Sequence, residues 1–205
     1  MMTAIILAGG MSSRLGQNKA LQVLEGKSLI QRVNERLDAL SAEIVIVTAS
    51  GEPVPCSAAV PIKTVSDIWA GRGPLVGLYS GLMASSCQQA VVVGCDMPFL
   101  SVGLLEYMSQ ISSCFDVVVP RIEDKVEPLC AVYSTSCLPA IRELLDRDEL
   151  RINRLFNMVK VRYVGEAEIN RFDPQHLSFF NVNSRADLTR AGRIAAGEGT
   201  DGTRA

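Results

Sequence analysis

The chain has 205 residues, 48% of them hydrophobic, which suits one sizeable α/β domain with a packed core and gives no reason to invoke disorder. Its formal net charge of −2 lacks the basic excess of a general nucleic-acid binder, so any polyanionic ligand must be met by a local device. No apolar stretch approaches the roughly 18 residues that span a bilayer, the N-terminus passes straight into a β-like run without a secretory pattern, and Cys56, Cys87, Cys95, Cys114, Cys130 and Cys137 include no Cys-x-x-Cys pair, so a cytoplasmic protein with reduced thiols is expected, with no membrane partner and no zinc or iron–sulfur site.

Short β-branched runs alternate with amphipathic segments. Residues 3–8 read as a buried first strand. Leu29, Ile30, Val33, Leu37 and Leu40 recur at helical spacing, which predicts a helix over 28–40. Strands follow at 43–48 and 62–66. A helix is expected over 74–84, with Pro74 at its first position. The continuous apolar run 89–95 reads as a central parallel strand. Ser101 caps a helix over 101–111, and 115–120 is a further strand. In the second half, 126–133 reads as a strand with an antiparallel option, 136–145 and 152–158 as helices, and 159–164 as a strand. The last helix covers 184–196, with Ser184 as cap and Asp187 in the capping-box position. The alternation predicts an α/β, Rossmann-like domain over 1–196: a mostly parallel sheet, helices on both faces, a less regular second half, and a frayed tail from 197 to 205. Ligands of such sheets gather beyond the carboxyl ends of the strands.

Four elements carry candidate chemistry. The first strand ends in Gly9-Gly10, followed by small polar residues, Arg14, Gly16 and Lys19. Glycines bring backbone N–H groups close to a phosphate, and Arg14 and Lys19 add charge there. A simple glycine turn is the alternative. The Walker loop does not fit, because Gln17 follows Gly16. The dinucleotide fingerprint does not fit either: the glycines are adjacent and the second strand ends Thr48-Ala49-Ser50, so an oxidoreductase is disfavoured. Next, Asp96 ends a buried apolar strand, where its hard carboxylate oxygen suits Mg²⁺ bridging a nucleotide; an Asx cap beside Pro98 is the alternative. Asp67 likewise follows a strand and precedes Gly71, Gly73 and Gly77, a loop able to approach a ligand or simply to lie on the surface. Finally, Asn181 and Asn183 stand before the last helix, where Asn183 either caps it or offers an oxygen to a metal. The single histidine, His176, sits in a polar stretch and reads as surface, which leaves little room for Ser-His-Asp or Cys-His chemistry or a multi-histidine metal site.

Taken in order, Leu7-Ala-Gly-Gly-x-Ser-Ser-Arg-Leu-Gly-x-x-Lys-Ala-Leu21, Gly71-x-Gly-Pro-Leu-x-Gly-Leu78, Cys95-Asp-Met-Pro-Phe-Leu100 and Phe180-Asn-Val-Asn183 resemble the molybdenum cofactor guanylyltransferase (MobA) family of the nucleotidyltransferase superfamily. Glu127-Pro128-Leu129-x-Ala131-x-Tyr133 resembles the family's second-substrate stretch. The resemblance implies transfer of GMP from GTP to the terminal phosphate of molybdopterin with release of pyrophosphate, and delivery to molybdoenzymes or their chaperones. It implies Leu7, Ala8, Gly9, Gly10, Lys19, Asp67 and Asp96 at the nucleotide. Mg²⁺ then sits on Asp96, Arg14 and Lys19 neutralise charge, and Asn181 and Asn183 position the second substrate or the metal. Thr48 stands where a relative carries asparagine and reaches less far. The Gly9-Gly10 form resembles the guanylyl enzymes, whereas cytidylyl relatives tend toward Ala-Ala-Gly. A CTP-dependent molybdopterin cytidylyltransferase, another small-molecule nucleotidyltransferase and a non-catalytic GTP-binding delivery module are the alternatives.

Overall fold

A computed structural model describes residues 1–9, 19–69 and 71–197 of the chain. Gly10 and Arg14 lie outside the described residues. The elements in order are β1 (Met2–Leu7), β2 (Val23–Leu24), β3 (Lys27–Ser28), α1 (Leu29–Leu37), β4 (Ser41–Thr48), β5 (Ile62–Ser66), α2 (Pro74–Ala84), β6 (Gln89–Gly94), α3 (Val102–Gln110), β7 (Val117–Ile122), β8 (Lys125–Val126), β9 (Cys130–Ser134), α4 (Leu138–Asp146), β10 (Val161–Val164), α5 (Glu166–Ile169) and α6 (Arg185–Ala195).

The apolar runs of β1, β4 and β6 are buried because both of their faces are covered. Ala4 and Ile6 point into the layer that holds Val33 and Leu37 of α1, Leu104 and Met108 of α3, and Ile169 of α5. Ile5, one residue out of phase, points into the opposite layer with Leu75 and Leu78 of α2 and Ile141 and Leu144 of α4. The sheet runs β10-β7-β9-β6-β1-β4-β5, with β8 paired to β7. β1 is parallel to β4 and β6, β4 to β5, and β10 to β7, while β9 is antiparallel to both β6 and β7.

This order decides where a ligand can sit. From β1 the chain moves outward to β4 and β5, then returns to the other side of β1 as β6. The reversal leaves a crevice at the carboxyl ends of β1 and β6, where Leu7 is paired with Gly94. The ladder continues past the strand ends: the Cys95 N–H donates to Leu7 O at 3.1 Å and the Ala8 N–H to Val47 O at 2.8 Å. The segments after these strands are therefore fixed to the sheet.

Several boundaries differ from the expected ones for identifiable reasons. The expected strand 126–133 is interrupted, because residues 127–129 turn, with Glu127 N–H donating to Pro120 O and Cys130 N–H to Glu127 O, and Pro128 has no donor for a ladder. β9 is antiparallel, the option left open by the sequence. The segment 152–158 forms a 3₁₀ helix, Ile152–Asn157, rather than an α-helix. The helix starting at Ser28 stops at Leu37, and Ser41 already opens β4 by donating its hydroxyl to Leu37 O at 2.7 Å. Among the described residues, no helix is long and apolar enough to cross a membrane.

Candidate active site

A cleft of about 320 Å³ opens at the reversal between β1 and β6. Its wall is formed by Leu7, Ala8 and Gly9 from the end of β1, Gly94, Cys95 and Asp96 from the end of β6, and Lys19. Asp67, Gly71, Gly73, Pro74 and Gly77, from the segment joining β5 to α2, close the other side, with Leu129 beside them. Three sequence stretches about 60 and 30 residues apart thus converge by the parallel winding of the sheet.

At one end of the cleft stands an ionic cluster. Lys19 Nζ donates to Asp96 Oδ2 at 2.5 Å and to Asn183 Oδ1 at 2.6 Å. The Lys19 and Asp96 side chains are each 17% exposed, so the pair is shielded from water yet open to a ligand. The segment before α6 is pinned from both sides. Val182 N–H donates to Asp96 O at 2.9 Å, which ties it to the end of β6. Val182 packs with Leu24, Leu29 and Ala191, beneath Phe180 and Phe99. The Asp187 carboxylate accepts the Asn183 N–H at 3.0 Å and the Ser184 hydroxyl at 2.8 Å, while Ser184 Oγ caps α6 by accepting the Asp187 N–H at 3.1 Å. Although burial opposes it, these hydrogen bonds and the nearby Lys19 charge hold the Asp187 carboxyl below its ordinary range. Ser184, not Asn183, is the cap. The Asn183 side chain is thereby left to serve the cluster.

Asp67 lines the cleft at its other end, since it follows β5 and the sheet sets β4 and β1 between β5 and β6; it is only 9% exposed. Its N–H donates to Thr48 O, and its carboxylate receives the Ser80 hydroxyl at 3.3 Å and the Trp69 N–H. Burial pushes its carboxyl above the usual aspartate range, partly offset by these donors. Ser80 is a site residue that the four sequence elements do not include; a polar side chain on the buried face of the otherwise apolar α2 is the signal that marks it. Thr48 does not line the cleft, because its hydroxyl accepts the Gly51 N–H at 2.9 Å and closes the turn after β4. Asn181 points its amide at Phe179 O, 3.1 Å away, and takes no part in the Lys19 cluster. His176 bonds to Asn170 and is not among the residues that line the cleft. Burial and the adjacent Asp96 raise the Cys95 thiol to about 12, so this cleft-lining cysteine is no nucleophile at neutral pH.

The glycines are chosen for space. A β-carbon on Gly94 would lie 2.5 Å from Asp96 Oδ1, so glycine leaves the room in which that carboxylate turns. Gly71 and Gly73 have φ of 84° and 98°, a region disfavoured for other residues. Gly9 differs: its backbone is not left-handed, and a β-carbon there would rest on Ala49 N and Thr48 C at 3.6 and 3.8 Å, ordinary contacts.

Residues 4–162 match the family model described as the MobA-like NTP transferase domain. The chain belongs to that family. It is 38% identical over 189 residues to a "Probable molybdenum cofactor guanylyltransferase" of Pelotomaculum thermopropionicum, covering 92% of this chain and 91% of that protein. It is 36% identical over 191 residues to the molybdenum cofactor guanylyltransferase of Desulfosudis oleivorans, covering 92% and 93%. Among solved structures, the molybdopterin-guanine dinucleotide biosynthesis protein A of Archaeoglobus fulgidus superposes with a TM-score of 0.79 at 26% identity, covering 96% of this chain and all of that one. The MobA-like chain is therefore a nucleotidyltransferase by family, and its α/β fold with a mostly parallel sheet is that of its relatives.

Proposed function

We propose that this MobA-like enzyme transfers GMP from GTP to the terminal phosphate of molybdopterin, releasing pyrophosphate. The observation that carries this reading is the Lys19–Asp96–Asn183 cluster at the mouth of a cleft whose other end holds Asp67. That layout matches a ligand with phosphates at one end and a base or sugar at the other. The relatives named above are guanylyltransferases, which supports GTP as the donor. The Gly9-Gly10 form supports it too, since it resembles the guanylyl enzymes.

The attacking pterin phosphate oxygen is already anionic, and a strong general base is not needed. As the new bond to the α-phosphorus forms, the bond to the bridging oxygen of pyrophosphate breaks and negative charge grows on the leaving group. The work left to the protein is alignment and charge neutralisation. Lys19 supplies a positive charge next to the carboxylate, and Arg14 a second one by family resemblance. Leu7, Ala8 and Gly9 offer backbone groups along the base, sugar and phosphates, and Gly10 is added to them by family resemblance alone. Asp67 accepts hydrogen bonds from the base or ribose.

The donor set fits Mg²⁺. Asp96 Oδ2 and Asn183 Oδ1 are hard oxygens that already share one cation, the Lys19 ammonium. Among the described residues no cluster of three or more acidic, histidine or cysteine side chains forms a self-sufficient cage, and Mg²⁺ is commonly held by one or two carboxylates together with substrate phosphates. Asp96 would hold it, with Asn183 beside it; the ion would supply charge neutralisation across the triphosphate. The six cysteines are unpaired, in keeping with a reducing cytoplasm, from which the product would pass to molybdoenzymes or their chaperones.

Incubating the protein with molybdopterin, Mg²⁺ and either GTP or CTP tests the reading by pyrophosphate release. Release with GTP and not CTP is expected. A preference for CTP would make it a cytidylyltransferase, and no release with either, despite GTP binding, would make it a delivery module.

A further inference from the structure

The described residues of segment 67–73 belong to no strand or helix, and Asp67, Gly71 and Gly73 among them line one side of the cleft. Within it the only backbone bond described is a long one, Arg72 N–H to Trp69 O at 3.3 Å. With two left-handed glycines, such an arm has many conformations open to it. Its position must come from what its side chains hold.

They hold α4. The Trp69 ring, half-buried against the layer that contains α2 and α4, has two guanidinium groups close to it. Arg72 Cζ is 5.7 Å from the ring centroid and Arg142 Cζ is 5.6 Å from it, both within cation–π range. Arg142 is on α4 and is oriented by Asp146, one turn on, whose two oxygens lie 2.9 and 3.1 Å from its Nε. Arg72 pairs with Asp148, in the turn just after α4. Both arginines therefore tie the arm to the same helix end. The connection to the cleft is direct: the Trp69 N–H is one of the donors that fix the Asp67 carboxylate, and Ser80 both accepts the Ile68 N–H at 3.1 Å and donates to that carboxylate.

We propose that Trp69, held by the cations of Arg72 and Arg142, is the device by which α4 positions the nucleotide-binding arm, with Arg142 a positioning residue for the nucleotide that never touches it. The inference rests on the reading of Asp67 as a nucleotide contact. It predicts an effect on nucleotide binding and little on the chemical step, since the Lys19–Asp96–Asn183 cluster stands at the opposite end of the cleft.

Trp69 is the only tryptophan of the chain, so its fluorescence reports on the arm alone. The test is to titrate GTP into the wild type, Arg142→Ala and Arg142→Lys while following that emission, and to measure KM and kcat for each. In Arg142→Ala, acrylamide should quench Trp69 more readily. Loss of one cation–π contact and the disorder it admits should raise the Kd and KM for GTP about fivefold, with kcat within about twofold and the KM for the pterin unchanged. Arg142→Lys, which keeps the cation, should recover most of the loss. Equal GTP affinity in wild type and Arg142→Ala would overturn the clamp and leave the nucleotide reading standing. So would an Arg142→Lys variant as impaired as Arg142→Ala, or a fall in kcat matched by loss of folded protein in thermal melts. A wild type that binds no GTP at all would instead overturn the nucleotide reading, and the clamp's role with it.

Discussion

Gly94→Ala puts a single methyl group against the residue on which the proposed chemistry turns. The added carbon would lie 2.5 Å from Asp96 Oδ1, whereas ordinary contact begins near 3.4 Å, so one of the two must move by about 0.9 Å. The backbone cannot yield easily: Gly94 ends β6, is paired with Leu7, and donates its N–H to Leu129 O. The carboxylate can, because it is the end of a side chain. Its other oxygen, however, is 2.5 Å from Lys19 Nζ, and a shift of this size disrupts that contact and the alignment with Asn183. The remaining neighbours of the new methyl, Met97 Sδ and Cγ, are at 3.5 and 3.6 Å and need not move. Misplacement of a catalytic group by about 1 Å can cost on the order of 100-fold, so kcat for pyrophosphate release should fall roughly 10- to 100-fold. Stability should change by less than about 1 kcal/mol, because the backbone is not left-handed and alanine is acceptable in a strand. Steady-state kinetics beside urea denaturation separate the two quantities. Wild-type kcat in a folded Gly94→Ala protein would show that the Asp96 carboxylate has no exacting position to keep, and the proposed role of the cluster would fail.

Further outcomes are expected at three other residues. Asp96→Asn keeps the shape but removes the charge, and kcat should drop at least about 100-fold, while chelation of Mg²⁺ from the wild type should stop pyrophosphate release and its return restore it; unchanged turnover in either case would remove the metal from the scheme. Asp67→Asn should raise the KM for GTP about tenfold through a lost charged acceptor. Because burial raises the Asp67 carboxyl in the folded state, the folded chain retains a proton between pH 3.8 and that higher value which the unfolded chain has released. This residue therefore makes stability fall as pH rises through the window, and the wild-type-minus-variant difference in urea unfolding should show that slope. Gly81→Ala would place a β-carbon 2.5 Å from Ile5 Cγ2, at the contact of α2 with β1, where neither partner is a flexible tip. A loss of about 1–3 kcal/mol is expected in urea denaturation, and an unaltered midpoint would show that α2 is looser than described.

Much of this protein is written locally in its sequence. The apolar runs of β1, β4 and β6 announce buried strands because each residue type settles its own preference for the pleated interior. Ser28, Ser101 and Ser184 mark helix starts because a cap bonds only three residues ahead. Asp96 was legible as the polar end of an apolar strand. The 3₁₀ segment at Ile152–Asn157 and the break at residues 127–129 were not, since apolar periodicity does not distinguish helix types and the turn depends on Pro120 in another strand.

The sequence alone determined which residues are able to do chemistry: one lysine after a glycine loop, aspartates after strands, paired asparagines before a helix, and no histidine for acid–base work. Only the tertiary structure decided which of them act together. The winding order placed β6 beside β1, and Asp96 thereby beside the end of the first loop. Asn183, 164 positions from Lys19, entered the cluster because Val182 bonds to Asp96 and Ser184 took over the cap. Asn181, two residues away, donates its amide to Phe179 O instead and was left out. Side-chain type is a local property and is visible in a string of letters; the meeting of distant side chains depends on strand order, register and which neighbour satisfies each polar group first, and those are set only when the chain has folded.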